Sequence, residues 1–335
     1  MLAPCCVLNP ARDSPLATMA PGYTDGDERM LAVLSLMALP ILCGIGWRII
    51  RPDGLDADLT RQVLTTLVFN LLLPALVLSV LWRAPIGWES LKIALFGITI
   101  IAAGAALTWL AAQLWRIERR RLGAAMLGIA FPNVTYLGLP VLEQAFGPWV
   151  RSLVIQIDLF AAMPMALTLG ALIGRHYGEE PAAGTSSVWR SLLRNPPLWA
   201  ALLAVSLNLN GVPLPPRLGT MLDKLAAAVI PLMLISLGLG LRWDTWRWRN
   251  APLSALALAL KLAAMPWFGV VLAQNLGFGG DTLAALVMEA GMPSMLLGMV
   301  YCDRYRLDTA FYAMIVALTT GAALFSLPFW QQRLA

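Results

Sequence analysis

The chain has 335 residues, of which 59% are hydrophobic and 13% charged, and its mean hydropathy is +0.71. No single soluble core of this size needs that balance, so the composition excludes an ordinary globular domain and reads as a polytopic membrane protein. The formal charge of +5 would suit a nucleic-acid partner, but arginines in such a chain act as topology signals, and no nucleic-acid partner is expected.

Residues 1–29 carry prolines and charges and no apolar run, so they are expected to form a disordered tail, neither signal peptide nor span. Met30 opens the first span and Met19 lies just upstream, so a start site assigned too early would explain that tail. Apolar stretches of roughly 20 residues, enough to cross about 30 Å of hydrocarbon as helix, then recur with short polar connections. They predict ten spans, at 30–50, 61–82, 91–115, 123–146, 149–173, 192–210, 218–241, 251–275, 282–302 and 308–330. Five spans fall in a first unit, 30–173, and five in a second, 191–335. Between them the loop 174–190, with Gly174, Gly178, Pro181 and Gly184, reads as a cytoplasmic linker.

The odd-numbered connections hold fifteen arginines, among them Arg48, Arg119, Arg120, Arg121, Arg190, Arg194, Arg242, Arg304 and Arg306. The even connections and both tails hold eight cations. By the positive-inside rule the odd connections are cytoplasmic, which places both termini outside the cytoplasm and the chain in the cell inner (plasma) membrane. Tryptophans such as Trp82, Trp88, Trp115, Trp149, Trp243, Trp246 and Trp248 cluster near span ends, as an interfacial belt requires.

Two spans are interrupted by proline. Span four reads Phe131-Pro132-Asn133-Val134-Thr135-Tyr136-Leu137-Gly138-Leu139-Pro140, and span nine reads Glu289-Ala290-Gly291-Met292-Pro293-Ser294. Proline removes a backbone donor and glycine loosens what remains, so both spans are expected to unwind midway, where only protein or a water-filled cavity can shield the bare backbone. A matched pair of broken segments in two halves points to a carrier's substrate site. The prolines pair at nearly constant offsets: 157 for Pro74 and Pro231, 161 for Pro132 and Pro293, 164 for Pro164 and Pro328. Five spans is an odd number, so the second unit enters from the opposite side and the two form inverted repeats; chance matching of prolines is the competing explanation.

These residues resemble the auxin efflux carrier family. The resemblance runs from about residue 30 to the end and rests on Pro40 with Gly44 and Gly46, Asn70 and Pro74, the Asn133–Pro140 string, Pro231 through Leu239, and Met292-Pro293-Ser294. It implies an all-α fold like that of sodium/proton antiporters and bile-acid symporters: ten helices, two inverted five-helix repeats and a crossover of two broken helices. Plant members carry a long central loop; the short one here resembles bacterial permeases, for which the family implies malonate, malate or similar carboxylates. Plant members also set the substrate carboxylate beside the span-four asparagine. In span nine they have a second asparagine where this chain has Ser294, a departure that leaves the second half of the carboxylate contact open.

Half-helices starting after Asn133 and after Ser294 would present unpaired amides and positive dipole ends, an arrangement suited to an anion. Asn133 can donate to a carboxylate and Ser294 can add a hydroxyl, with Pro132, Pro293 and Gly138 shaping the candidate substrate site. Plainer roles exist: an N-cap for Asn133 and a bond to its own backbone for Ser294. Lys261 lies about ten residues into span eight, near 15 Å deep at 1.5 Å per residue, where a charge costs at least about 3 kcal/mol. Its candidate partners are Glu289 and Asp158, the latter on a helix with Gln156, and the set can lock an ion pair, attract substrate or release a proton. Snorkelling is the bland alternative.

Glu143 and Gln144 read as a solvated helix end, as do Asp223 and Lys224, and His176 stands alone in the linker. Cys5, Cys6, Cys43 and Cys302 lack metal spacing. No phosphate loop, zinc motif or serine elbow is present, so neither an enzyme nor an ATP-driven pump is expected, and no cofactor or metal is implied. The expectation is a secondary active or facilitated transporter of small organic anions working by alternating access, with spans four, five, nine and ten as transport core and spans one, two, six and seven as a scaffold that can also form a homodimer. A co-transported proton or sodium ion would permit import. The rivals are a cation antiporter or symporter with Asp158 or Glu289 as ion site, and a membrane receptor that binds without moving its ligand.

Overall fold

The computed structural model describes residues 26–114, 117–179, 195–240 and 250–334. Residues 1–25 with Cys5 and Cys6, Trp115, Arg116, the linker stretch with Arg190 and Arg194, and the segment holding Arg242, Trp243, Trp246, Arg247, Trp248 and Arg249 lie outside the described residues. Among those described, every regular element is helical: α1 (Gly26–Ile50), α2 (Ala57–Leu81), α3 (Trp88–Leu114), α4 (Arg119–Ala130), α5 (134–146), α6 (Val150–Tyr177), α7 (Pro196–Leu209), α8 (Pro216–Gly240), α9 (Ala251–Asn275), α10 (Gly280–Ala290), α11 (Gly298–Arg304) and α12 (Thr309–Leu334). Six of them, α2, α3, α6, α8, α9 and α12, are long and apolar enough to cross a membrane. The chain is an all-helical polytopic membrane protein.

Prolines in the spans behave in several ways, and Pro40 and Pro328 lie inside continuous helix. Pro74, Pro140, Pro164 and Pro266 break nothing: each occupies the second position of an α-helical stretch preceded by a five-residue π turn. The π turns cover Val68–Leu72, Val134–Gly138, Asp158–Ala162 and Leu260–Ala264. A proline ring clashes with the carbonyl four residues back, and the wider turn relieves that clash. In every case the residue before the proline closes the turn with an i→i−5 bond, Leu73 to Val68, Leu139 to Val134, Met163 to Asp158 and Met265 to Leu260. Polar residues sit in these turns: Asn70, Thr135, Tyr136, Asp158 and Lys261.

True interruptions occur at 131–133, between α4 and α5, and at 291–297, between α10 and α11. The second is longer than the sequence suggests, because the chain turns through Met295, Leu296 and Leu297 before α11 begins. Two packing groups surround the breaks. α1 lies along α8, with the second half of α2 packed on α7 and on the start of α8. The close approach of α1 and α8 requires glycine: a Cβ on Gly44 would come within 2.2 Å of the Ile235 carbonyl oxygen, and one on Gly238 within 2.1 Å of that of Ile41. The remaining helices form the other group, with α4 against α3, α12 and the end of α6, and α10 against α9 and α12.

Two details differ from the sequence reading. α1 already begins at Gly26, so the last residues of the expected tail are helical. α6 continues through Tyr177, so residues 174–177 of the expected linker are helical and His176 sits in a last turn. Gly174 and Gly178 serve contact there instead of flexibility, since a Cβ on either would strike Tyr305 at 2.3 Å (ring) or 2.1 Å (carbonyl).

Candidate functional site

The two interruptions meet. Phe131 leaves the helical region (φ −98°, ψ 111°), as a residue before proline is biased to do, and runs antiparallel to the second break. Asn133 N donates to Pro293 O at 2.7 Å, and Met295 N donates to Phe131 O at 3.1 Å, a two-bond bridge centred on Pro132 and Ser294. Nearby donors are also placed: Phe131 N on Leu127 O, Gly291 N on Val287 O, Met292 N on Glu289 O and Ser294 N on the Thr319 hydroxyl. Pro132 and Pro293 have no N–H to satisfy, so proline lightens the polar load that buried irregular backbone carries.

The side chains at the bridge behave differently from one another. The Asn133 side chain is buried, makes no cap bond, and leaves its amide nitrogen without a partner. Ser294, fully buried, donates its hydroxyl to the Gly128 carbonyl at 2.6 Å, with Thr319 Oγ1 3.4 Å away. Only one half-helix opens directly from the bridge: α5 starts beside Asn133, whereas α11 starts four residues after Ser294 and spans 7 residues. The first-turn amides of α5, beyond reach of any acceptor in their own helix, thus lie on the Asn133 side.

A polar cluster adjoins the bridge. Gly138 N donates to Asn133 O at 3.0 Å, and the Glu289 carboxylate lies over the Gly138 Cα, so close that a Cβ there would meet Glu289 Oε2 at 2.6 Å. Glu289 is 2% exposed and Lys261 0%; neither carboxylate oxygen nor the ammonium has a hydrogen-bond partner. Of Lys261's two candidate partners it is Glu289 that lies within its Coulombic reach, without bonded contact, and Asp158 lies within Coulombic range of Glu289. Asp158 accepts the Thr135 hydroxyl. Tyr136 stands within Coulombic range of Asp158 and of Arg61, from α2 of the other packing group. Thr135, Tyr136 and Arg61 are not among the expected site residues; Thr135 and Tyr136 directly follow Asn133, and Arg61 lies near the start of α2.

Other candidates lie away from the bridge. Glu143 is not a solvated end: its side chain is 14% exposed and it accepts Arg151, across the hairpin from α5 to α6. Asp223 ties α8 to α2, accepting Arg83 at 3.0 to 3.2 Å and the Ser79 hydroxyl. The His176 carbonyl accepts Arg119. Cys43 is exposed and Cys302 buried, both free, and no metal-binding cluster exists among the described residues.

The family model for a membrane transport protein, that of the auxin efflux carriers, matches residues 28–331. The chain belongs to the auxin efflux carrier family. An "Uncharacterized transporter" of Methanothermobacter thermautotrophicus is 30% identical over 302 residues, 89% of this chain and 96% of that protein. "Uncharacterized transporter YfdV" of Escherichia coli K12 is 22% identical over 308 residues, covering 90% and 95% of the two chains. "Probable auxin efflux carrier component 5b" of Oryza sativa subsp. japonica is 24% identical over 230 residues, 57% of this chain and 62% of its own. This auxin efflux carrier family member is therefore a multi-pass membrane transporter.

Proposed function

We propose that this transporter carries small organic anions of the malonate or malate type, held at the bridge between the interrupted segments and exposed alternately to the two membrane faces. The observation that carries the reading is the Asn133 amide, buried at the junction of both breaks with no partner. A buried donor left unmade costs about 1–3 kcal/mol, a cost that a bound carboxylate would remove. The first-turn amides and dipole of α5 add positive potential on the same side. In this reading Pro132, Pro293 and Gly138 shape the site, and Ser294 braces it through Gly128 without touching the solute.

The same reading takes 30–173 and 191–335 as inverted five-helix repeats. The meeting of the two breaks in an antiparallel bridge, one residue out of the register in which Pro132 matches Pro293, is compatible with that relation. In this reading α1, α2, α7 and α8 act as a scaffold that can also form a homodimer, and the helices around the bridge move against them in the inner membrane, both termini outside the cytoplasm.

Counterflow of labelled malonate and malate into proteoliposomes tests the function, since a receptor that binds without transporting gives saturable binding and no accumulation. Asn133→Ala is expected to lower counterflow at least about tenfold, a loss equivalent to about 1.4 kcal/mol. A parental rate and affinity in that variant would remove Asn133 from the mechanism.

A further inference from the structure

Glu289 and Lys261 are badly placed for a structural ion pair. Burial of opposite charges is recovered only when they touch and when further hydrogen bonds complete each group. Here both are buried, both carboxylate oxygens and the ammonium lack partners, and the two groups lie within Coulombic range of each other with no hydrogen bond or ion pair between them. Asp158 shows the contrast, being anchored by the Thr135 hydroxyl. Fully ionised, Asp158, Glu289 and Lys261 sum to one negative charge; a single proton on Glu289 neutralises the set. The other charged or titratable neighbours are Tyr136, beside Asp158, and Arg61 beyond it.

The position ties this group to the bridge. Glu289 lies against Gly138, whose amide bonds the Asn133 carbonyl, so its carboxylate is one backbone turn from the Asn133 side chain. An ionised Glu289 repels a carboxylate arriving there, and a protonated one does not.

We propose that Glu289 is a proton-binding site linked to the anion site, so that this carrier moves its anion together with a proton. The proposal rests on Asn133 as the anion contact. Lys261 draws the anion inward and its charge opposes the proton on Glu289; anion binding then favours proton uptake, and by linkage proton binding favours the anion equally.

The test uses the full chain in sodium-free proteoliposomes with an internal pH dye and an inward malonate gradient. Uptake is expected to acidify the lumen, and apparent malonate affinity to rise up to tenfold per unit fall in pH, the signature of one linked proton. Glu289→Gln is expected to flatten that profile and remove the proton, while Glu289→Asp keeps a slope. Lys261→Gln is expected to move the profile's midpoint to more alkaline pH, an effect that a merely structural lysine would not produce and that decides the matter if Glu289→Gln fails to fold. Acidification that persists in Glu289→Gln comes from malonate's own proton and overturns the proposal, as does transport that is independent of pH or that requires sodium. If neither the parent nor Asn133→Ala moves malonate or malate, the anion reading itself falls and takes this one with it.

Discussion

At the scale of single residues, the site is marked by polar atoms that the fold leaves unmet. Asn133→Leu, close in volume and lacking the orphaned amide, is expected to hold or raise the melting temperature while abolishing counterflow, the trade expected of a residue kept for function. Equal losses in stability and transport would instead mark Asn133 as structural. Gly138→Ala should behave differently: its new methyl meets the mobile end of Glu289 and not backbone, so the carboxylate moves. We expect a loss of no more than about 1–3 kcal/mol in thermal melts, with a displaced pH profile of uptake. Asn133, Glu289 and Lys261 were conspicuous as candidates in the sequence because a polar residue inside an apolar stretch is costly. Thr135 and Arg61 were not, because a hydroxyl that can bond its own helix and an arginine near a span end each look ordinary until a partner is placed beside them.

At the scale of elements, the sequence separates apolar stretches well, since length and hydropathy alone set them, but it treats all prolines as equal. The prolines behind π turns and those inside the breaks differ in what the preceding carbonyls can do, which tertiary contact decides. Pro266→Ala removes the ring that holds Leu260–Ala264 open. Closing that turn to ordinary α geometry is expected to rotate Lys261 by about 100° relative to the rest of α9, since one residue fewer is accommodated per turn. The measurable outcome is a pH profile like that of Lys261→Gln with little change in melting temperature; an unchanged profile would show that the turn does not position the lysine. Gly44→Ala, whose methyl would strike backbone at 2.2 Å, should force α1 from α8 and lower stability by more than about 2 kcal/mol.

At the scale of the whole molecule, the two packing groups are joined at one end by charge: Asp223 of α8 is bonded to Arg83 of α2 within its own group and lies within Coulombic reach of Arg151 of α6 in the other. If the groups move against each other, a bifunctional thiol linker across Arg151→Cys and Asp223→Cys should arrest counterflow until cleaved, whereas the same linker across Arg83→Cys and Asp223→Cys should leave most of it. Arrest by both, or by neither, would contradict such motion. The fastening at the centre has a different kind of permanence. It is made of main-chain atoms, which every amino acid except proline supplies at both the donor and the acceptor, so drift in the surrounding side chains does not by itself delete it. Side chains around the two breaks can therefore be exchanged, and what is held there retuned, with both main-chain bonds left in place.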